Sequence, residues 1–180
     1  NDECMGKSLD FETDGTKMFM VGSSGYEVKQ YSLTIPFDIT SVVVFEGTPF
    51  SVATQETAAS SLAFNANGTK MFVVGTTGDD INQYSLTTPF DITSGVSFSG
   101  SFSVSSQETA PTGLAFSSDG SKMFVIGLVG NDVNQYSLTT SFDITSGASY
   151  SGISYSFADQ ETNAQGIEFS VDGTIMFVIG

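Results

Sequence analysis

Gln-Glu-Thr occurs at 55–57, 107–109 and 160–162, and Asp2-Glu3-Cys4 stands as a divergent fourth copy. Four carboxylates, Glu3, Glu56, Glu108 and Glu161, gathered round one axis would offer oxygen ligands to a hard cation such as calcium. The competing reading makes each triplet a latch between neighbouring units, hydrogen-bonded to backbone. A device written into every unit is what a structural role produces, so the latch is preferred. A second acidic group follows a glycine: Asp79-Asp80 after Gly78, and Asn131-Asp132 after Gly130. Asp79, Asp80 and Asp132 are further candidate cation ligands, although Asp and Asn are also ordinary turn formers.

Other chemistries are excluded or weakened by what the chain lacks. It has no histidine, which removes a Ser-His-Asp triad and any histidine-bearing metal centre. Its one cysteine, Cys4, has no histidine to activate it and no partner for an intrachain disulfide. Twenty acidic residues against five lysines, with no arginine, give a net charge of -15. Such a surface repels phosphate backbones and anionic bilayers, so neither nucleic acid nor membrane insertion is expected. Asn67-Gly68-Thr69 fits the glycosylation acceptor pattern. Asn67 also occupies the turn position that Asp14, Asp119 and Asp172 hold elsewhere, and the turn role is preferred.

What must position these groups is a repeat. "DGTKMFMVG" at 14–22 returns as "NGTKMFVVG" at 67–75, "DGSKMFVIG" at 119–127 and "DGTIMFVIG" at 172–180. The equivalent methionines Met18, Met71, Met123 and Met176 are 53, 52 and 53 residues apart. A fixed period of this size marks a repeat architecture. Units begin at each triplet: 2–54, 55–106, 107–159 and a partial fourth, 160–180.

Each unit predicts four strands. The first is short ("SLDF" 8–11, "SLAF" 61–64, "GLAF" 113–116, "GIEF" 166–169) and leads into an Asp-Gly or Asn-Gly hairpin. The second, "KMFVVG" 70–75, is apolar without alternation and so is buried on both faces. The third, "INQYSL" 81–86, sets Asn82, Tyr84 and Leu86 on one face. The fourth, "VSFSGSFSV" 96–104, alternates apolar residues with serine, as a strand with one packed and one wet face does. Units one and three each carry an extra residue there, near Pro49 and Ile153, which suits bulges in an edge strand. In the recurring "PFDIT" element ("SFDIT" at 141–145), Phe37, Phe90 and Phe142 are expected to plug the outer rim, each followed by an Asx-type turn. The expected fold is all-β: a propeller of four-stranded antiparallel blades of about 52 residues, three blades and the first half of a fourth.

"GLAFSSDGSKMFVIG" at 113–127 resembles the strand, Phe-Ser-x-Asp-Gly, strand core of bacterial NHL- and YVTN-type propeller repeats, and the likeness recurs in every unit. It implies propeller blades, which serve lactonases and adhesins alike. Closure needs about 4–8 blades, so the 180 residues are expected to be part of a larger propeller. The partners expected are further blades of the polypeptide or other copies of it, with surface glycans or proteins as ligands. The functional expectation is a non-catalytic extracellular or surface-exposed module, as in an adhesin, surface layer, filament or virion fibre. The alternative is a lactonase- or hydrolase-like enzyme with a carboxylate-bound cation. Unit one alone carries Lys7, Asp10, Glu12, Tyr26, Glu27, Lys29 and Glu46, and sites that act tend to break symmetry.

Overall fold

A computed structural model describes residues 6–22 and 25–180, all strand, turn or irregular segment. Glu3 and Cys4 therefore lie outside the described residues. The first sheet contains β1 (Gly6–Phe11), β2 (Lys17–Gly22), β3 (Glu27–Leu33), β4 (Val43–Phe45) and β5 (Phe50–Ser51). The second contains β6 (Ala59–Phe64), β7 (Lys70–Gly75), β8 (Asp80–Leu86) and β9 (Val96–Ser103). The third contains β10 (Pro111–Phe116), β11 (Lys122–Gly127), β12 (Asp132–Leu138) and β13 (Ala148–Ser156). Two strands, β14 (Gly166–Phe169) and β15 (Met176–Ile179), make the fourth. Every pairing is antiparallel between chain neighbours, except that β4 and β5 share β3 as successive pieces of one outer strand. Pro49, which has no amide hydrogen to donate, lies in the break between them.

The sheets stack through their faces. Along β7, Met71 and Val73 enter the core shared with the first sheet, while Phe72 and Val74 enter the core shared with the third. Residues of a strand alternate between faces, so this unbroken apolar run serves two interfaces at once. The same division recurs in β11: Met123 and Val125 face the second sheet, and Phe124 and Ile126 face the fourth. The first strands β1, β6, β10 and β14 lie side by side as the innermost elements. These are blades of a partial β-propeller.

The outer strands depart from simple alternation. The pairing of β8 with β9 skips Ser99, and that of β12 with β13 skips Ser151 and Gly152, so unit three accommodates its extra residue in a wider bulge. Phe98, expected on a packed face, is exposed and covers only the edge of Tyr84 at 5.7 Å. Further along the same strand Phe102 does reach the third sheet, edge-on to Tyr136 at 5.6 Å.

The PFDIT turns do not plug the outer rim. Phe90 and Phe142 sit with φ of 52°, which carries each ring back over the hairpin between the first two strands of its own sheet. There the rings lie against Phe64 (5.5 Å) and Phe116 (5.4 Å). Their amides donate to the carbonyls of Gly68 (3.0 Å) and Gly120 (2.9 Å). A Cβ at either glycine would collide with the ring. Each Asp then closes its turn as expected: Asp91 Oδ1 accepts from Thr93 N at 2.9 Å and Oγ1 at 2.6 Å.

Candidate functional site

Two of the triplet glutamates, Glu56 and Glu108, lie under a turn of their own sheet. Glu56 is fully buried: its carboxylate accepts from the amides of Ala58 (2.5 Å), Thr77 (3.3 Å) and Gly78 (3.4 Å). Glu108 repeats this with Ala110 (2.7 Å), Val129 (3.3 Å) and Gly130 (3.2 Å). Each side chain lies flat on a glycine, Gly75 or Gly127, where a Cβ would strike it. Adjacent Gln55 and Gln107 accept from the hydroxyls of Tyr84 and Tyr136, both at 3.4 Å. The latch thus ties the incoming chain to the turn between the second and third strands of the same sheet, and not to the neighbouring blade. Glu161 accepts only from nearby Thr162 (2.8 Å) and Asn163 (2.7 Å).

The turn acids sit beside these latches. Asp80 Oδ1 accepts from Asn82 at 2.8 Å, and Asp132 Oδ1 from Asn134 at 2.7 Å. Burial pushes the Asp80 carboxyl above the usual carboxylate range, against the hydrogen bonds from Asn82 and Ser101. Asp79 and Asn131 take left-handed φ values of 50° and 47°, and Asn131 Oδ1 is buried without a partner. Exposed Asn67 holds its turn with Oδ1, accepting from Thr69 N (3.2 Å) and Oγ1 (2.6 Å). Among the described residues, no three Asp, Glu, Cys or His side chains come together in a group able to hold a metal ion.

A different pair of carboxylates lines the space where the innermost strands meet. β1, β6, β10 and β14 line a cavity of about 490 Å³ at the inner end of the stack. Aligned on the repeat, one position there reads Asp10, Ala63, Ala115 and Glu168. The middle sheets supply methyl groups and the flanking sheets supply carboxylates, with Lys7 and Gln165 on the same wall. Asp10 Oδ1 accepts from Phe11 N at 2.8 Å, and Oδ2 reaches Phe64 N of the second sheet at 3.3 Å. Burial, with a small addition from the charge of Glu168, pushes Asp10 up to about 6 despite those bonds. Asp10 stands out in the sequence as a break in the repeat. That Glu168 lines the same cavity is visible only once the four repeats are set in columns and the stack is curved.

No protein-family model matches the chain, and no curated protein matches it in sequence. Solved structures do. A functionally unknown protein from Desulfotomaculum acetoxidans DSM 771 matches at a TM-score of 0.65 and 16% identity, over 97% of this chain and 48% of the other. The β-propeller domain of Myceliophteria thermophila Swd1 matches at 0.57 and 9%, over 99% and 51%. The Pseudomonas aeruginosa periplasmic gluconolactonase PpgL matches at 0.53 and 18%, over 73% and 35%. The chain spans about half the length, or less, of these proteins, and what it shares with them is the β-propeller fold.

Proposed function

We propose that this chain is a non-catalytic structural and binding propeller module that works outside the cell or on a surface. The observation behind this reading is how the recurrent acids are used. Glu56 and Glu108 are occupied by backbone amides, and Asp14, Asp38, Asp91, Asp119, Asp143 and Asp172 each close a turn. Carboxylates engaged in holding loops are poor general acids, bases or metal ligands. The units 2–54, 55–106, 107–159 and 160–180 are in this reading parts of one propeller domain. Its ligands are surface glycans or proteins, and its structural partners are further blades or other copies. Calcium, where bound, stabilises the fold and does no chemistry. Melting curves with chelator and with added calcium test that role, and identical curves count against it.

A second reading rests on the axial cavity. Asp10 and Glu168 break the repeat there, and a carboxyl group titrating near neutrality suits proton transfer. A lactonase-like hydrolase would call for carboxylates that differ between blades, as these do, and gluconolactonase is among the proteins sharing the fold. A lactone- and ester-hydrolysis screen of the wild type beside Asp10→Asn separates the two. Turnover that the substitution abolishes establishes the enzyme reading; no turnover with any substrate leaves the binding module.

A further inference from the structure

Each joint between consecutive sheets repeats one set of contacts. A Phe on the second strand of one sheet stacks on the Phe ending the first strand of the next: Phe19 on Phe64 (4.5 Å), Phe72 on Phe116 (4.6 Å) and Phe124 on Phe169 (4.6 Å). At the first two joints a third ring completes the ladder, Phe90 on Phe64 and Phe142 on Phe116. Two side chains of the preceding sheet then grip that ring's turn. Lys17 Nζ donates to the Phe90 carbonyl (2.9 Å) and Lys70 Nζ to the Phe142 carbonyl (2.8 Å). Gln30 Oε1 accepts from Ile92 N (2.8 Å), and Gln83 Oε1 accepts from Ile144 N (3.0 Å). Lys70 also lies 4.0 Å from the carboxylate of Asp143.

At the third joint every receiving group is present and the third ring is not. Phe169 stacks on Phe124, and Gly173 keeps the φ of 71° seen at Gly68 (69°) and Gly120 (68°) with open space above it. Among the described residues, Lys122 Nζ and the Gln135 side chain have no hydrogen-bond partner. Phe116, Lys122, Phe124, Phe169 and Gly173 line a groove of about 510 Å³. Beside it, β15 pairs with β14 alone, so its other edge is free to accept a strand.

We propose that this groove is a socket for one occupant: the second half of the fourth unit. In it a third strand pairs with β15 and leads into a Phe-Asp-Ile turn. The Phe enters with positive φ above Gly173, its carbonyl takes the Lys122 amine, and the Ile amide donates to Gln135. The turn's Asp completes the charge match, as Asp143 does for Lys70. The assignment holds whether the axial cavity binds or catalyses.

A synthetic peptide matching residues 80–93 stands in for the occupant, since it contains the third strand and turn of unit two. Titrated into the full chain and followed by calorimetry, it should bind saturably at one site. Replacing its Phe90 by Ala should weaken binding by roughly tenfold or more, as truncation of a central aromatic anchor does. In the chain, Lys122→Met should weaken it about threefold, in keeping with one charge-assisted hydrogen bond at a partly wet site. Gly173→Ala should block it. Lys122 is exposed and forms no contact the fold needs, so that variant reports on the socket alone. The proposal fails if the Ala peptide binds as well as the parent, if Lys122→Met and Gly173→Ala bind like wild type, or if the folded chain takes up no peptide. It also fails if the chain alone self-associates and Phe37→Ala abolishes this, because the occupant is then a second copy.

Discussion

The turns at 35–40 and 88–93 differ only in their first residue, Ile35 against Thr88, yet they occupy opposite environments. Phe90 is 7% exposed and Ile92 3%; Phe37 is 59% exposed and Ile39 68%. Local conformation is the same, with φ near 50° at both Phe residues and a glycine carbonyl accepting from both amides. What differs is the neighbour. Lys17 and Gln30 of the first sheet reach across to hold the second turn, and among the described residues no other sheet reaches the first. In a stack of near-identical blades, burial belongs to the joint between two units and not to the segment that carries the hydrophobic residues.

The comparison is tested most strongly by truncating the two rings. Phe90→Ala should destabilise the chain by about 3–4 kcal/mol in denaturant melts, as removal of a buried aromatic does, and Phe37→Ala by less than about 1. Equal losses would show that the joint contributes nothing. The glutamate latches offer the next contrast. Glu56→Ala strands three amide donors in a dry site and should cost about 2–3 kcal/mol, while Glu161→Ala, on a more open loop, should cost under about 1. Far-UV circular dichroism melts of the two variants decide this.

Asp10 against Ala63, the same position one unit on, gives a pH-dependent contrast. A folded-state value of about 6 lies above the unfolded 3.8, so the folded chain holds this proton more tightly. The associated stability is complete below about pH 4 and is lost as pH rises through 6. Asp10→Asn should therefore remove a decline in stability between pH 4 and 7, on the order of 1–2 kcal/mol after solvent screening, read from denaturant melts across that range. A decline that persists in the variant would assign it to other groups. The smallest effect separates the lysines: Lys70→Met, which loses a bond to Phe142, should cost about 1 kcal/mol, and Lys122→Met close to nothing.

The period, the hairpins and the doubly buried second strand are legible in the sequence because each is a local pattern: equal spacing, Asp-Gly, an apolar run without alternation. The joints are not. Lys17, Lys70 and Lys122 read only as charges in a row of copies, since Lys17 finds its carbonyl acceptor 73 residues away and Lys70 finds its own 72 away. The place of the PFDIT aromatics is illegible for a related reason. Positive φ at a Phe is a conformation β-propensity does not foresee, and it turns the ring inward over Gly68 or Gly120. Glu56 and Glu108 do hydrogen-bond to backbone, but within their own sheet and not between neighbouring units as the repeat suggests. The turn they bind is not legible in the sequence, because it depends on where Gly75 and Gly127 bring the next hairpin.

The division of β7 between two cores also bears on how the polypeptide is made. Met71 and Val73 can be covered once unit one has emerged from a ribosome, but Phe72 and Val74 stay wet until unit three follows. Each blade thus waits about fifty residues for its second cover, a few seconds at ordinary elongation rates of roughly 5–20 residues per second. Synthesis should proceed with one sticky face always open at the growing end, and a ribosome stalled within any unit would present that face to chaperones.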